Sequence, residues 1–295
     1  MPITGNARLA GVMAWPVGHS LSPRLHNHWL NTMGIDGAYV PLPVRPADVE
    51  QAISMAGRMG FRGLNVTVPH KEAALKAVDE ADDLATRIGA VNTIIYDTGG
   101  RSHGTNTDGF GFMENIRHKY TDWNFADGPA VVLGAGGAAR AVVVALIDAG
   151  APKILICNRT HERAVNLVND LDGPLEAAPW EDRHDALHNI NLLVNTTTLG
   201  MTGKDPLEIS LDSLPEYSCV TDIVYAPLET RLLRAAHSRG NPTVDGIGML
   251  LHQARPGFEA WFGQAPVVDD VLRLHVLAGA GLSDPGSDPG SDSGS

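Results

Sequence analysis

The chain has 295 residues, enough for one or two domains with a real core. Its formal net charge of −12 argues against nucleic acid and anionic membranes as main partners. The two cysteines, Cys157 and Cys219, lie in apolar strand-like runs and predict buried, reduced thiols. No N-terminal stretch has the form of a signal peptide, and no apolar run has the length to span a bilayer. A reducing, cytoplasmic setting is the expectation.

Arg8 to Trp15 predicts a first strand, feeding the loop WPVGHSLSPRLHN. A helix starts near Pro23, a residue favoured in a first helical turn. Ser20 and Ser22 lie just before it. Ser22 can be read as an N-cap, or the two hydroxyls as carboxylate donors beside a helix N-terminus. Tyr39 to Val44 predicts a strand, Ala47 to Met59 a helix, and Gly60 to Val68 a turn plus strand. Asn65 and Thr67 alternate with apolar neighbours there, so they share one face. Pro69 ends that strand. Lys71 lies just beyond, where ligands collect in open α/β sheets, although an isolated lysine would be surface decoration. Glu72 to Ile88 is helical in pattern, and Gly89 to Tyr96 predicts a strand with Asn92 near its start. After a turn at Asp97 to Gly100 comes GTNTDGFG. Asn106 and Asp108 sit there in a glycine-bounded loop, which alone suits an Asx turn. Gly109 to Tyr120 predicts a helix crossing to the next unit.

The organising stretch is AVVLGAGGAAR, Ala130 to Arg140. A short buried-type strand, Ala130 to Leu133, is followed at once by Gly134, Gly136 and Gly137. A helix, Ala138 to Ala149, ends at Gly150, and a second apolar run spans Ile154 to Cys157. Strand, glycine turn, helix and strand make the unit that cradles a dinucleotide. Gly134 allows the tight turn, Gly136 lets the backbone approach a pyrophosphate, and Ala139 is small enough for close helix–strand packing. The helix N-terminus offers unpaired N–H groups and partial positive charge. An NAD site usually carries Asp or Glu about 20 residues after the glycines. Here Asn158, Arg159 and Thr160 end the second strand, with Arg163 one turn on. A guanidinium there suits a 2′-phosphate and favours NADP over a solvated arginine.

Further along, Glu162 to Asp170 predicts a helix, Trp180 to His188 a short segment, and Asn191 to Asn195 a strand leading into NTTTLGM. Tyr217 to Val224 predicts a strand, Thr230 to Arg239 a helix, and Thr243 to Val244 a last short strand. Gly248 to Phe262, carrying Gln253, and Val267 to Leu277 predict closing helices. Residues 283–295 are only Ser, Asp, Pro and Gly and should be disordered. His184 and His188 stand at i, i+4, but Asp185 replaces the metalloprotease Glu and no third ligand is near, so no metal is expected.

Taken together, these stretches resemble the shikimate dehydrogenase family along nearly all of Leu9 to Ala278. The matching motifs are HSLSP (His19 to Pro23), NVTVPHK (Asn65 to Lys71), GAVNT (Gly89 to Thr93), NTDGFG (Asn106 to Gly111), GAGGAAR, NRT with Arg163, DIVYAPLET and GMLLHQA (Gly248 to Ala254). The resemblance implies NADPH-dependent, reversible reduction of 3-dehydroshikimate to shikimate on the way to aromatic amino acids. It implies that Ser20 and Ser22 hold the substrate carboxylate, and that Thr67, Asn92, Tyr225 and Gln253 contact the rest of the substrate. Lys71 and Asp108 match the family's catalytic pair. The implied cofactor set is Gly134, Ala135, Gly136, Gly137, Ala138, Asn158, Arg159, Thr160, Arg163, Thr196, Thr197, Gly246 and Met249. Trp15 departs from the family's usual Gly before the proline, NTTTLGM from the commoner N-A-T-S-x-G-M, and Arg231 from a frequent Pro.

The expected fold is α/β with two domains. Residues 1–109 plus 247–282 form a substrate domain with a mixed, mostly parallel sheet, and 110–246 a Rossmann-type NADP domain. The partner is a small molecule, with no nucleic acid and no membrane, and the chain is a monomer or homodimer. The rivals are a quinate/shikimate dehydrogenase using NAD, a folate- or tRNA-linked relative, and an inactive metabolite sensor. Arg159, the serine pair and the retained Lys71 and Asp108 count against them.

Overall fold

The structure, a computed structural model, describes residues 3–282. The disorder expected for 283–295 lies outside the described residues. The first part of the chain forms β1 (Arg8–Ala14), α1 (Ser22–Thr32), β2 (Gly37–Pro43), α2 (Val49–Arg58), β3 (Phe61–Val66), α3 (Lys71–Ala77), β4 (Glu80–Ala81), α4 (Asp83–Ile88), β5 (Thr93–Tyr96) and β6 (Ser102–Thr105). The helix α5 (Asp108–Lys119) leads away from it. Next come β7 (Ala130–Leu133), α6 (Gly137–Asp148), β8 (Ile154–Cys157), α7 (His161–Asp170), β9 (Leu175–Ala178), β10 (Leu192–Asn195), β11 (Cys219–Asp222), α8 (Arg231–Ser238) and β12 (Thr243–Val244). The chain closes with α9 (Ile247–Phe262) and α10 (Asp270–Gly279).

Two six-stranded sheets result, in the orders β2-β1-β3-β5-β6-β4 and β12-β11-β10-β7-β8-β9. In the first, β5 runs antiparallel to both neighbours and the remaining pairs are parallel. The reversal is local. β5 and β6 form a hairpin whose Asp97 carboxylate accepts from the Gly99 and Arg101 N–H groups, an Asx turn. The second sheet is parallel throughout. Its strand order reverses between β7 and β10, the switch point at which ligands bind in doubly wound sheets. β7, β10 and β11 are buried along their whole length, as a sheet covered on both faces requires.

The closing helices return to the first sheet. Phe258, Trp261 and Phe262 of α9 and Leu272 and Val276 of α10 share one core with Leu25 and Trp29 of α1. Burying each large apolar side chain contributes about 1.5–3 kcal/mol, which ties the C-terminal segment to the sheet built first. On the opposite face, α2, α3 and α4 cover Leu64, Val66 and Ile94.

Three elements differ from the sequence expectation. The helix expected over Glu72 to Ile88 is two helices, because Val78 is extended and Asp79 exchanges hydrogen bonds with Ser102. Asp82 then N-caps α4 by accepting from the Ala85 N–H. Neither β6 nor β9 carries a local strand signal: SHGT is polar and LEAA is poor in β-formers. Both exist because an already formed neighbour offers a ladder, β5 for the first and β8 for the second.

Helix α5 joins the two halves through close backbone contacts. A Cβ on Gly109 would lie 2.9 Å from the Ala141 carbonyl oxygen of α6. A Cβ on Gly111 would lie 2.6 Å from the Gln253 Cβ and 2.7 Å from the Met249 carbonyl oxygen of α9. Backbone cannot yield as a flexible side chain can. Gly111→Ala is therefore expected to cost about 1–3 kcal/mol by overpacking. Thermal unfolding at fixed pH checks this, and an unaltered Tm would mean that α5 and α9 separate freely.

Candidate active site

Two charged side chains start helices that leave the first sheet. Lys71 opens α3 just beyond β3, and Asp108 opens α5 just beyond β6. The Lys71 ammonium donates to Asp108 Oδ2. The other carboxylate oxygen accepts from Asn92 Nδ2 at 2.8 Å, and the Asp108 N–H donates to Asn106 Oδ1 at 3.0 Å. Asn92 has one orientation, because its Oδ1 accepts from the Thr107 N–H at 2.8 Å. Its Nδ2 also lies 3.3 Å from Gln253 Oε1, while Thr107 Oγ1 donates to the Gln253 carbonyl at 2.8 Å. Residues from the ends of β3, β5 and β6 and from α9 thus meet around one ion pair. Asp108 is 6% exposed and Asn92 2%. The Lys71 side chain keeps 20% exposure, whereas the Asp108 carboxylate is buried and needs hydrogen bonds in place of water; Asn92 supplies one.

The network extends towards α1. Tyr39 donates its hydroxyl to Asn65 Oδ1 at 2.6 Å, and Asn65 Nδ2 donates to Thr93 Oγ1 at 3.2 Å. Thr93 in turn donates to Asn92 Oδ1 at 2.9 Å. Burial pushes the Tyr39 phenol well above its ordinary value, and a hydrogen bond with Ser22 opposes this. Ser22 is itself buried, at 6% exposure. Its reading as an N-cap does not hold: the cap position of α1 is Leu21, with no side-chain cap bond, and Ser22 is the first helical residue. Its N–H donates to Ser20 Oγ at 3.3 Å. Thr67 stands half-buried at the end of β3, its N–H bonded to the Met13 carbonyl. Tyr225, on the loop after β11, packs against the core of the first sheet and so reaches across from the second. Among the described residues, no side-chain hydrogen bond joins Thr67 or Tyr225 to the Lys71 cluster.

Tyr39, Thr93 and Thr107 are members of this site that sequence reasoning did not single out. Asn65 had a signal, its shared face with Thr67. Tyr39 had none beyond the rule that a buried phenol seeks a partner.

In the second sheet, Gly134 takes φ +110°, and a Cβ there would meet Thr196 Oγ1 at 2.6 Å. Thr196 Oγ1 donates to the Leu133 carbonyl at 2.7 Å. No atom stands within 4 Å of where Cβ atoms on Gly136 or Gly137 would lie. Gly136, between Ala135 and the helical Gly137 and Ala138, caps α6 without any side-chain bond. Ala139 is fully buried. This surface fits a pyrophosphate. Beyond β8, Asn158 Nδ2 donates to the Thr160 carbonyl at 2.8 Å. Arg159 and Arg163 are exposed and, among the described residues, have no ion-pair partner. Two uncommitted guanidinium groups at this edge fit a phosphate monoester. Thr197 is bonded to Asn195. Gly246 lies against the Ile223 and Val224 carbonyls, and Met249 packs on the second core. His184 Nδ1 accepts from the Ser210 N–H, and no group of three or more His, Cys, Asp or Glu able to hold a metal occurs among the described residues.

Residues 12–94 match the family model "Shikimate dehydrogenase substrate binding domain", and residues 115–202 match "Shikimate / quinate 5-dehydrogenase". The chain belongs to the shikimate dehydrogenase family. It is 58% identical to the shikimate dehydrogenase (NADP(+)) of Paramagnetospirillum magneticum, over 94% of this chain and 100% of that protein. It is 56% identical to the shikimate dehydrogenase (NADP(+)) of Rhodospirillum rubrum, over 93% of this chain and 99% of that protein. The crystal structure of shikimate 5-dehydrogenase from Thermus thermophilus in complex with NADP(H) and shikimate superposes with a TM-score of 0.81 at 36% identity, covering 92% of this chain and 99% of that one.

In this dehydrogenase His26 lies behind the seam, stacked on Tyr39 at 4.0 Å and fully buried. Burial pushes its imidazole down to about 3, with Asn65 opposing part of that, yet neither ring nitrogen has a partner in hydrogen-bond geometry. The unfolded chain binds a proton here below about pH 6.5 and the native state does not until about pH 3. The neutral ring therefore favours the fold above pH 6.5, and that contribution, on the order of 4 kcal/mol, is lost as pH falls towards 3. His26→Phe should flatten the loss. Urea unfolding of both proteins between pH 4 and 7 checks this. Asp222 and His252 titrate alike in the two, so their stability difference isolates His26. A difference constant across that range would count against it.

Proposed function

We propose that this chain catalyses the reversible, NADP-dependent reduction of 3-dehydroshikimate to shikimate. One observation carries the reading. Lys71 and Asp108 form an ion pair inside a set of neutral amides and hydroxyls, at the start of the helix whose next residue, Gly109, abuts α6. A proton-transfer group thus stands where the substrate half meets the dinucleotide helix.

The roles follow from the chemistry of each side chain. NADPH, when bound, supplies hydride to the ring carbonyl. Lys71 stabilises the oxygen as negative charge develops and donates its proton; in the oxidative direction the neutral amine accepts one. Asp108 orients the ammonium. The Asn92 and Asn106 side chains hold Asp108 in turn, so the ammonium has little freedom to turn away. Ser20 and Ser22 are the donors for the substrate carboxylate, and Thr67, Asn92, Tyr225 and Gln253 serve the ring hydroxyls. A ring lacking one hydroxyl would leave buried polar groups unpaired, which makes discrimination steep. Gly134, Ala135, Gly136, Gly137 and Ala138 receive the pyrophosphate at the α6 N-terminus. Asn158, Arg159, Thr160 and Arg163 receive the 2′-phosphate, and Thr196, Thr197, Gly246 and Met249 line the rest of the cofactor.

The substrate half comprises residues 1–109 plus 247–282, and the NADP half 110–246. This division is supported by the sheet membership of the strands and by the core that α9 and α10 share with α1. The enzyme works in the cytoplasm as a monomer or homodimer; among the described residues no helix is long and apolar enough to cross a membrane.

Lys71→Ala should lower kcat by about 10²–10⁴, the usual worth of general acid–base help, while KM for shikimate changes far less. An unchanged kcat would refute the assigned role. Arg159→Ala should raise KM for NADP by about ten- to a hundred-fold, the loss of a charged hydrogen bond, and leave KM for NAD alone. Steady-state rates with shikimate or quinate, each with NADP or NAD, test the reading as a whole. NAD or quinate supporting equal turnover would replace it with the broader quinate/shikimate activity.

A further inference from the structure

The end of β11 carries a carboxylate that the roles above leave unused. Asp222 is fully buried, and among the described residues no lysine, arginine or histidine side chain pairs with it. Three neutral donors hold it. Oδ1 accepts from Asn195 Nδ2 at 2.9 Å and from the Val224 N–H at 3.0 Å, and Oδ2 accepts from Thr230 Oγ1 at 2.8 Å. Burial pushes its pKa up to about 6. A buried carboxylate is tolerated only when donors replace its solvation, and here the donors come from two separate loops.

What it holds are the two loops beside the glycine turn. Asn195, oriented by Asp222, accepts at Oδ1 from the Thr197 N–H at 3.1 Å and the Thr197 hydroxyl at 2.8 Å. Its Nδ2 also reaches the Leu199 carbonyl at 3.2 Å. Thr196, next in line, is the residue against which Gly134 turns. On the other side, the bond to Val224 fixes the residue immediately before Tyr225, and the bond to Thr230 fixes the far end of the same loop, where Thr230 caps α8. The two loops are stapled directly by the Thr202 N–H donating to the Ala226 carbonyl at 2.7 Å.

We infer that Asp222 is a positioning residue for both ligands: through Asn195 it sets Thr196 and Thr197 on the cofactor side, and through Val224 and Thr230 it sets Tyr225 on the substrate side. This rests on the proposed function for the identity of the ligands, but not for the clamp itself. Asp222→Asn keeps Oδ1 and therefore the bonds to Asn195 and Val224, and perturbs only the contact with Thr230. Asp222→Ala removes all three.

The test compares wild type, Asp222→Asn and Asp222→Ala by two measurements. Amide hydrogen exchange reads the clamp without reference to catalysis. In Asp222→Ala, exchange in 196–203 and 223–230 should accelerate together by at least about ten-fold, the loss of charged hydrogen bonds, and β8 with Arg159 should keep its wild-type rate. Steady-state kinetics, normalised to the fraction of protein that binds NADPH, read the consequence. KM for cofactor and for shikimate should both rise about ten-fold in Asp222→Ala, whereas Asp222→Asn should raise KM for shikimate alone, and by less. The rise should be equal with NADP and NAD, because the 2′-phosphate end is untouched. If Asp222→Ala does not fold, Asn195→Ala must speed exchange in 196–203 and raise KM for cofactor, and Thr230→Val must speed exchange in 223–230 and raise KM for shikimate, each at smaller size. Unchanged exchange in either loop, or normalised KM values equal to wild type, would overturn the inference. A wild-type protein inactive with shikimate and NADP would instead sink the functional reading, and the exchange result would still decide the clamp.

Discussion

A buried carboxylate beside a partly exposed ammonium must be held by something besides solvent. Around Lys71 and Asp108 that task falls to neutral dipoles. Asn92 donates to the carboxylate, Asn106 accepts from the Asp108 backbone, and Thr107 and Thr93 fix which end of Asn92 faces the acid. Each dipole can point only one way, because each is itself held. The arrangement is preorganised: each donor is already turned to its acceptor in the folded chain. The strand ends, the hairpin after β5 and the return of α9 are the means by which residues distant in sequence reach one point.

Helix α5 turns that local constraint into an architectural one. It begins with the acid of the pair, touches α6 through Gly109 and α9 through Gly111, and leaves no room for a Cβ at either contact. The acid is therefore placed relative to both sheets by backbone against backbone, the least compressible contact a protein offers. A longer side chain at either glycine would move the charged pair relative to the dinucleotide helix, with no change in the pair itself.

Stability is given up near the site in two places. His26 is buried with both nitrogens unpartnered, and Asp222 is buried with only neutral donors. His26 stacks on Tyr39 of the seam that leads to Asn92, and Asp222 lies between the loops of Thr197 and Tyr225. Buried polar groups fix orientation where an apolar filler would fix only volume. The large apolar cores under each sheet offset the loss.

Much of the fold was legible because its signals are local. The strand–glycine–helix–strand run from Ala130 to Cys157 needs only apolar runs, a turn that requires glycine and a helix start, all set by neighbouring residues. The members of the ion-pair cluster were legible for a similar reason: Lys71, Asn92 and Asp108 stand in short motifs at element boundaries. What tertiary structure alone decided is what depends on a partner far along the chain. β6 and β9 are strands only because β5 and β8 offer them a ladder. The break between α3 and α4 follows from Asp79 meeting Ser102. Tyr39 and Asp222 gain their roles from Asn65 and from Asn195 and Thr230. A hydrogen bond between residues separated by tens of positions leaves no periodicity and no composition bias in the sequence. It exists only after packing has brought the two groups within about 3 Å and excluded the water that would otherwise satisfy each alone.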